Sequence, residues 1–293
     1  MPPAEVAALA ADTGCRGVEL RAHPEEPVHP GLGRRDRAAV AGAFGRAGVG
    51  ILAVCGYPRV AAAGPDGPVL DEIAELVGLA RDLGAPYVRV FPGAEPREDT
   101  GAPEGGADGA VDGMAARRLA SAARGAAPLG VRILLETHDS HRTGESVARV
   151  LAGAGRLIAG SGPGTVDGPG AVDGPTAPLA EAAPGRGPAD QGPGAVWDVL
   201  HTWLGGEPVE ATRRALGPSL GYVQVKDVAS REDLAPLALG AGVLPLGDVV
   251  AGLTRPTWLS WEYEKRWAPG AAELPGLLVP GREYLEGLLG RAM

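Results

Sequence analysis

Short runs of β-branched and apolar residues, each followed by a turn and a longer amphipathic stretch, recur along the whole chain. The runs fall at 15–20, 49–57, 86–91, 131–136, 194–198, 221–226 and 257–262 and read as strands. Between them, 3–14, 34–48, 69–85, 114–127, 146–155, 208–216, 247–254 and a final stretch near 281–291 carry helical periodicity. The segment 69–85 is the clearest, with apolar residues at 69, 70, 73, 76, 77 and 80. Strands alternating with helices imply an α/β protein with a parallel sheet, because a crossover helix returns the chain to the same sheet edge in the same direction. The 293 residues suffice for one (β/α)8 TIM barrel or for two small domains. The chain opens on a helix, where a complete eight-unit barrel opens on a strand. The expectation is therefore a single-domain barrel over 1–293 lacking its first strand, through a start codon placed too late or a barrel open on that side.

Glycine (47) and proline (28) make up about a quarter of the residues, near the level at which low complexity becomes a concern. The excess is concentrated in a loop at 92–113 and in a stretch at 160–194 with the near-repeat TVDGPG/AVDGPT. A segment of Gly, Pro and Ala cannot build a core, so 160–194 is expected to be a disordered insertion outside the barrel. The core must be mostly Ala, Val and Leu, since only 4% of residues are aromatic. A net charge of −9 with no long Lys/Arg run argues against a nucleic-acid partner. No apolar run approaches a membrane span and no secretory leader is evident, so neither a membrane partner nor secretion is expected. Two cysteines, Cys15 and Cys55, fit a reduced cytoplasm as small buried hydrophobes.

In a parallel barrel the C-terminal strand ends converge on one mouth. Four residues close such runs: Glu136, Asp198, Gln224 and Glu262, separated by 62, 26 and 38 residues. Without about 35 residues of insertion the first gap shrinks to about 27, close to one strand–helix repeat. Carboxylates placed in this way can share a divalent cation although they are remote in sequence. Lys226 lies two residues beyond Gln224 and shares its face, as do Glu19 and Arg21. His138 and His201 follow Glu136 and Asp198 by two and three residues.

The motifs GCRGVELR (14–21), APYVRVFPG (85–93), ILLETHDS (133–140), VWDVLH (196–201), YVQVKDV (222–228), LPLGDV (244–249) and SWEYEKRWAP (260–269), in this order, resemble the xylose-isomerase-like barrel superfamily. That group holds sugar-phosphate isomerases and epimerases, inosose dehydratases and AP endonucleases. The resemblance implies a metal held by Glu, Asp, His and Glu, which fall here on Glu136, Asp198, Gln224 and Glu262. Gln224 departs from the His of many relatives, and an all-oxygen set favours Mn²⁺ or Mg²⁺ over Zn²⁺. It also implies that His201 meets substrate or supports a ligand.

These residues support a divalent-metal-dependent sugar or sugar-phosphate isomerase or epimerase. Glu136 and Glu262 would move a proton beside a carbonyl, through a metal-stabilised enediolate. A dehydratase of the inosose or dehydroshikimate type would use nearly the same residues. Substrate contacts are expected from His138, His201, Lys226, Glu19, Arg21, Arg89 and Trp267. For Lys226 the alternative is a structural pair with Glu19 or Asp227; for Arg21 and Arg89 it is a structural ion pair. For Trp267 the alternative is packing under the last helix. A phosphodiesterase is disfavoured, because a three-metal cluster needs more His than the five present, and strand ends Tyr57 and Phe91 supply none. A degenerate binding barrel is the non-enzymatic alternative. The partner expected is a small carbohydrate or polyol, with a homodimer allowed.

Overall fold

The computed structural model describes residues 1–94, 106–160, 192–217 and 219–292. Seven strands form one parallel sheet in chain order: β1 (Gly17–Arg21), β2 (Gly50–Arg59), β3 (Tyr87–Phe91), β4 (Arg132–Glu136), β5 (Gly194–Asp198), β6 (Leu220–Val225) and β7 (Leu259–Trp261). The sheet curls into a nearly closed barrel. Among the described residues β1 and β7 do not pair with each other. The Trp258 ring spans that seam and lies close enough that a Cβ on Gly17 would sit 3.3 Å from it.

The helices are α1 (Pro3–Asp12), α2 (Arg34–Ala47), α3 (Asp66–Leu83), α4 (Gly106–Ala126), α5 (Gly144–Gly160), α6 (Val199–Leu204), α7 (Val209–Leu216), α8 (Leu246–Ala251) and α9 (Leu278–Ala292). Helices α2 and α3 end on Gly48 and Gly84, both in the left-handed conformation that glycine adopts without steric cost. Helix α4 starts earlier than its glycine content suggests, inside the expected loop 92–113. Tertiary contacts stabilise that start: Val111 packs on the core and Asp112 pairs with His141 (2.9 Å) and Arg149 (3.1 Å). The short helix α6 has no periodic signal of its own and forms because the Asp198 side chain caps it, accepting from Leu200 N (2.8 Å) and His201 N (3.2 Å). The insertion expected at 160–194 falls almost wholly on 161–191, which lie outside the described residues, as does 95–105 of the Gly-rich loop. None of the described helices is long and apolar enough to cross a membrane.

The pleat divides the core in two. Outward strand residues such as Val54, Val88, Ile133, Leu135, Trp197 and Val223 pack under the helices. Inward residues Leu52, Ala53, Cys55, Tyr87, Leu134, Val196 and Tyr222 fill the barrel. Gly221 is required in that filling, because a Cβ there would stand 2.5 Å from Leu134 Cδ1. Above this apolar plug the inward positions turn polar, and these form the floor of the mouth.

The long segment after β6 is organised by Asp227, 1% exposed. Its carboxylate accepts from Val228 N and Leu244 N (both 3.1 Å), Gly240 N (2.9 Å) and Gly242 N (3.0 Å). Gly242 approaches so closely that a Cβ would stand 2.2 Å from the Val228 carbonyl oxygen. Asp227→Ala would strand four backbone donors. It should lower unfolding free energy by about 3 kcal/mol or more in urea titration, since bonds to a charged acceptor contribute about 1.5–3 kcal/mol each.

Candidate active site

The inward residues at the strand ends assemble into three interlocked groups. The first is centred on Glu136, 1% exposed at the end of β4. Arg89 of β3 places Nε 3.0 Å from Glu136 Oε2, donates Nη1 to the Gly56 carbonyl (3.0 Å) and lies 4.0 Å over the Phe91 ring. Arg89 is thereby tied into the structure through Nε and Nη1. Arg21 is also engaged, with Glu26 (3.1 Å) and the Tyr57 ring (5.2 Å).

The second group is built on Lys226. Its ammonium stands 2.8 Å from Asp198 Oδ2 and 3.5 Å from Glu264 Oε2, and bonds Glu262 Oε2 at short range. Neither Glu19 nor Asp227 is among these partners. The third group gathers on Glu19 of β1, whose Oε2 accepts from Tyr222 OH (2.6 Å), Gln224 Nε2 (3.0 Å) and Cys55 Sγ (3.0 Å). The bond to Glu19 sets the Gln224 amide with nitrogen towards Glu19 and oxygen away. That oxygen is buried and has no donor.

His138 and His201 complete the mouth. Their rings lie 3.9 Å apart, and the His138 ring also contacts Phe91 at 4.5 Å. His138 Nδ1 is 2.8 Å from Asp139 Oδ1 without the alignment of a hydrogen bond. Asp139 has a φ of +44°, in the left-handed region that aspartate enters more readily than most non-glycine residues. Trp267, 71% exposed, stands on the rim with Arg266 5.5 Å from its ring centroid rather than packing under the last helix.

The environment separates the two buried acids. Burial pushes the Glu136 carboxyl well above the usual carboxylate range; Glu262 and Asp198 add to this and Arg89 opposes it. Burial also acts on Asp198, but Lys226, His201 and the bonds to both outweigh it and hold Asp198 below its ordinary value. Lys226 is raised: burial opposes its charge and Asp198, Glu262 and Glu264 overcome that opposition. Burial and then His201 lower His138 to about 4, so its imidazole is neutral near pH 7. Burial and the neighbouring Glu19 raise both Cys55 and Tyr222, which leaves each a neutral donor.

The structure thus brings Glu136, Asp198, Gln224, Glu262, Lys226, Arg89, Glu19, His138 and His201 to one mouth, with Arg21 and Trp267 nearer its edge. Four contributors have only weak signals in the sequence. Tyr222 and Glu264 lie two residues from Gln224 and Glu262, so strand parity alone finds them. Cys55 reads as a small hydrophobe, and Asp139 as a turn residue. The residues present fit a divalent cation. Glu136, His138 and His201 each offer a ligand atom, and these atoms lie within 4.8 Å of one another. Buried Glu136 Oε2, Asp198 Oδ2 and Gln224 Oε1 lack a hydrogen-bond partner.

A family model described as a xylose isomerase-like TIM barrel matches residues 7–156, and the chain belongs to that family. Solved structures share the fold. The IOLI protein with a zinc atom superimposes with a TM-score of 0.71 at 14% identity, covering 99% of this chain and 94% of that one. D-psicose 3-epimerase with D-tagatose from Clostridium cellulolyticum H10 gives 0.69 at 13% identity, covering 98% and 93%. The probable 3-DHS dehydratase AsbF from Bacillus anthracis gives 0.68 at 13% identity, covering 96% and 92%. No curated protein matches the chain.

The Arg89–Glu136 pair is buried on both sides, so removing one partner leaves an uncompensated group in the barrel. Arg89→Met should cost about 3–5 kcal/mol in chemical denaturation, the range for breaking a buried pair. The double change Arg89→Met/Glu136→Gln should recover part of that loss.

Proposed function

We infer that this protein is an enzyme that moves a proton on the carbon next to a carbonyl group of a small carbohydrate or polyol, as an isomerase or epimerase. One observation carries the reading: Glu136, a buried carboxyl group with raised proton affinity, sits beside two imidazoles at the mouth of a parallel barrel. A carboxyl whose proton affinity burial has raised is a candidate both to take and to return a proton. Asp198, held ionised, complements it.

Glu136, with donors drawn from His138, His201, Asp198, Gln224 and Glu262, would hold a divalent metal. When bound, such an ion supplies a Lewis acid for the substrate carbonyl oxygen. The chain's own residues do the rest. Glu136 and Glu262 stand on β4 and beside β7, at separate positions around the rim, where each can reach a different side of a bound sugar. Lys226 would hold a substrate oxygen from its place between Asp198 and Glu262, whose carboxylates keep it charged. Arg89 holds the Glu136 carboxyl in place. Tyr57, Phe91 and Trp267 give the mouth aromatic walls against which the apolar face of a sugar ring can lie.

A small-molecule screen tests this reading. Ketoses, their phosphates, inososes and dehydroshikimate are incubated with the protein and Mn²⁺, Mg²⁺, Co²⁺ or Zn²⁺ in D₂O, and products are followed by NMR. Deuterium incorporation beside the carbonyl with an epimeric or isomeric product is the expected result. Loss of water instead would assign the same residues to a dehydratase, and no exchange with any substrate would favour a binding barrel. With an active substrate, Glu136→Gln and Glu262→Gln should each lower kcat about 100-fold or more, the scale of general acid–base catalysis. Lys226→Met should act mainly on KM.

A further inference from the structure

Gln224 is the uncharged corner of the expected metal set, and an amide is an ambiguous ligand. Its oxygen can bind a cation, whereas its nitrogen carries only donor hydrogens and repels one. The two ends are so alike in size that shape alone does not decide which of them faces the ion. In this chain the hydrogen bonding decides it. Glu19 Oε2 on β1 accepts from Gln224 Nε2 at 3.0 Å, which turns the amide oxygen the other way. Gln224 is 1% exposed, and its Oε1 is buried without a donor among the described residues. A buried amide oxygen left in that state is costly unless something binds it. Asp198 of β5 is the register partner of Gln224, and Glu262 donates its backbone N–H to the carbonyl of the next residue, Val225, at 3.0 Å. The amide therefore belongs to the same stretch of rim as those two carboxylates.

Glu19 is itself held. The oxygen that binds Gln224 also accepts from Tyr222 OH at 2.6 Å and Cys55 Sγ at 3.0 Å, both side chains of the apolar filling of the barrel. Three donors on one oxygen leave the carboxylate little freedom to release the amide. We propose that Glu19 is a positioning residue, which orients the Gln224 amide so that its oxygen, and not its nitrogen, is offered to the divalent cation. This proposal rests on the metal-assisted reading above and deepens it, giving Glu19 a task behind a ligand in place of a direct substrate contact.

Mn²⁺ binding to the metal-free full-length protein, read by calorimetry and by the paramagnetic resonance of free Mn²⁺, tests this without any turnover. The wild type should bind one Mn²⁺. Glu19→Met keeps the length of the side chain and removes the acceptor. It should weaken binding about tenfold, the lower end of what losing a group behind a ligand costs. Gln224→Ala removes the ligand and should weaken binding at least as much. The double variant separates orientation from charge. If Glu19 acts through the amide, Glu19→Met should change binding by less than about threefold in the Gln224→Ala background, because coupled residues are non-additive. A carboxylate that merely attracted the cation would act equally in both backgrounds. Each variant is checked first for a wild-type thermal transition. If Glu19→Met lacks it, Glu19→Ala, which leaves room for water at the Tyr222 hydroxyl, takes its place under the same limits. Gln224→Leu replaces Gln224→Ala in the same way. The proposal is overturned by a wild type that binds no Mn²⁺, by a Glu19 variant within about threefold of wild-type affinity, or by equal losses in both backgrounds. The reaction reading fails separately, when a protein with the expected Mn²⁺ coupling turns over no substrate in the screen.

Discussion

A parallel barrel has one mouth, and the two-residue pleat determines which side chains reach it. That constraint underlies everything polar in this molecule. Glu19, Cys55, Arg89, Glu136, Asp198, Gln224 and Glu262 come from seven segments of sequence, and they meet because each occupies an inward position on or beside a strand running in the same sense. The apolar filling of Tyr87, Leu134, Val196 and Tyr222 below them excludes water from the barrel. Each charge above it therefore has to find a counter-charge or lose its ionisation. Arg89 answers Glu136 and Lys226 answers Asp198 and Glu262. The architecture produces the electrostatics, and the electrostatics separate one acid with raised proton affinity from another held as an anion.

The same logic explains why basic residues near the mouth are poor anchors for an external anion. Arg89 is consumed within the barrel and Arg21 is tied to Glu26. Accessible at the rim are the aromatic rings of Tyr57, Phe91 and the exposed Trp267, together with the Glu262 and Glu264 carboxylates. A phosphorylated substrate would need its anion held by groups beyond these two arginines.

Much of the fold is legible in the sequence because its signals are local. All seven strands and eight of the helices coincide with runs of the right periodicity. What escapes is non-local. Helix α6 exists because Asp198 caps it, and the early turns of α4 hold because Asp112 reaches His141 and Arg149. The strand-end acids are visible by parity, and so is the proximity of Lys226 to Gln224. The partners of Lys226 are not visible, because which carboxylate an ammonium meets depends on how far neighbouring strands are staggered across the barrel. The left-handed Asp139 lies likewise beyond periodicity, since a single φ angle leaves no mark on the pattern of apolar residues.

The seam between β1 and β7 is bridged by the Trp258 indole rather than by a ladder of backbone hydrogen bonds. Among the described residues the amides along it face no partner strand, so amide exchange with solvent should be fastest along this line of the barrel wall. The seam also runs between Glu19 and Glu262. Arg89, Glu136 and Asp198 stand across the barrel from it, on strands paired along both edges, while Lys226 ties Glu262 at the seam to Asp198. The unpaired edge thus carries two of the site's acids, Glu19 and Glu262, on the part of the wall with the fewest backbone hydrogen bonds.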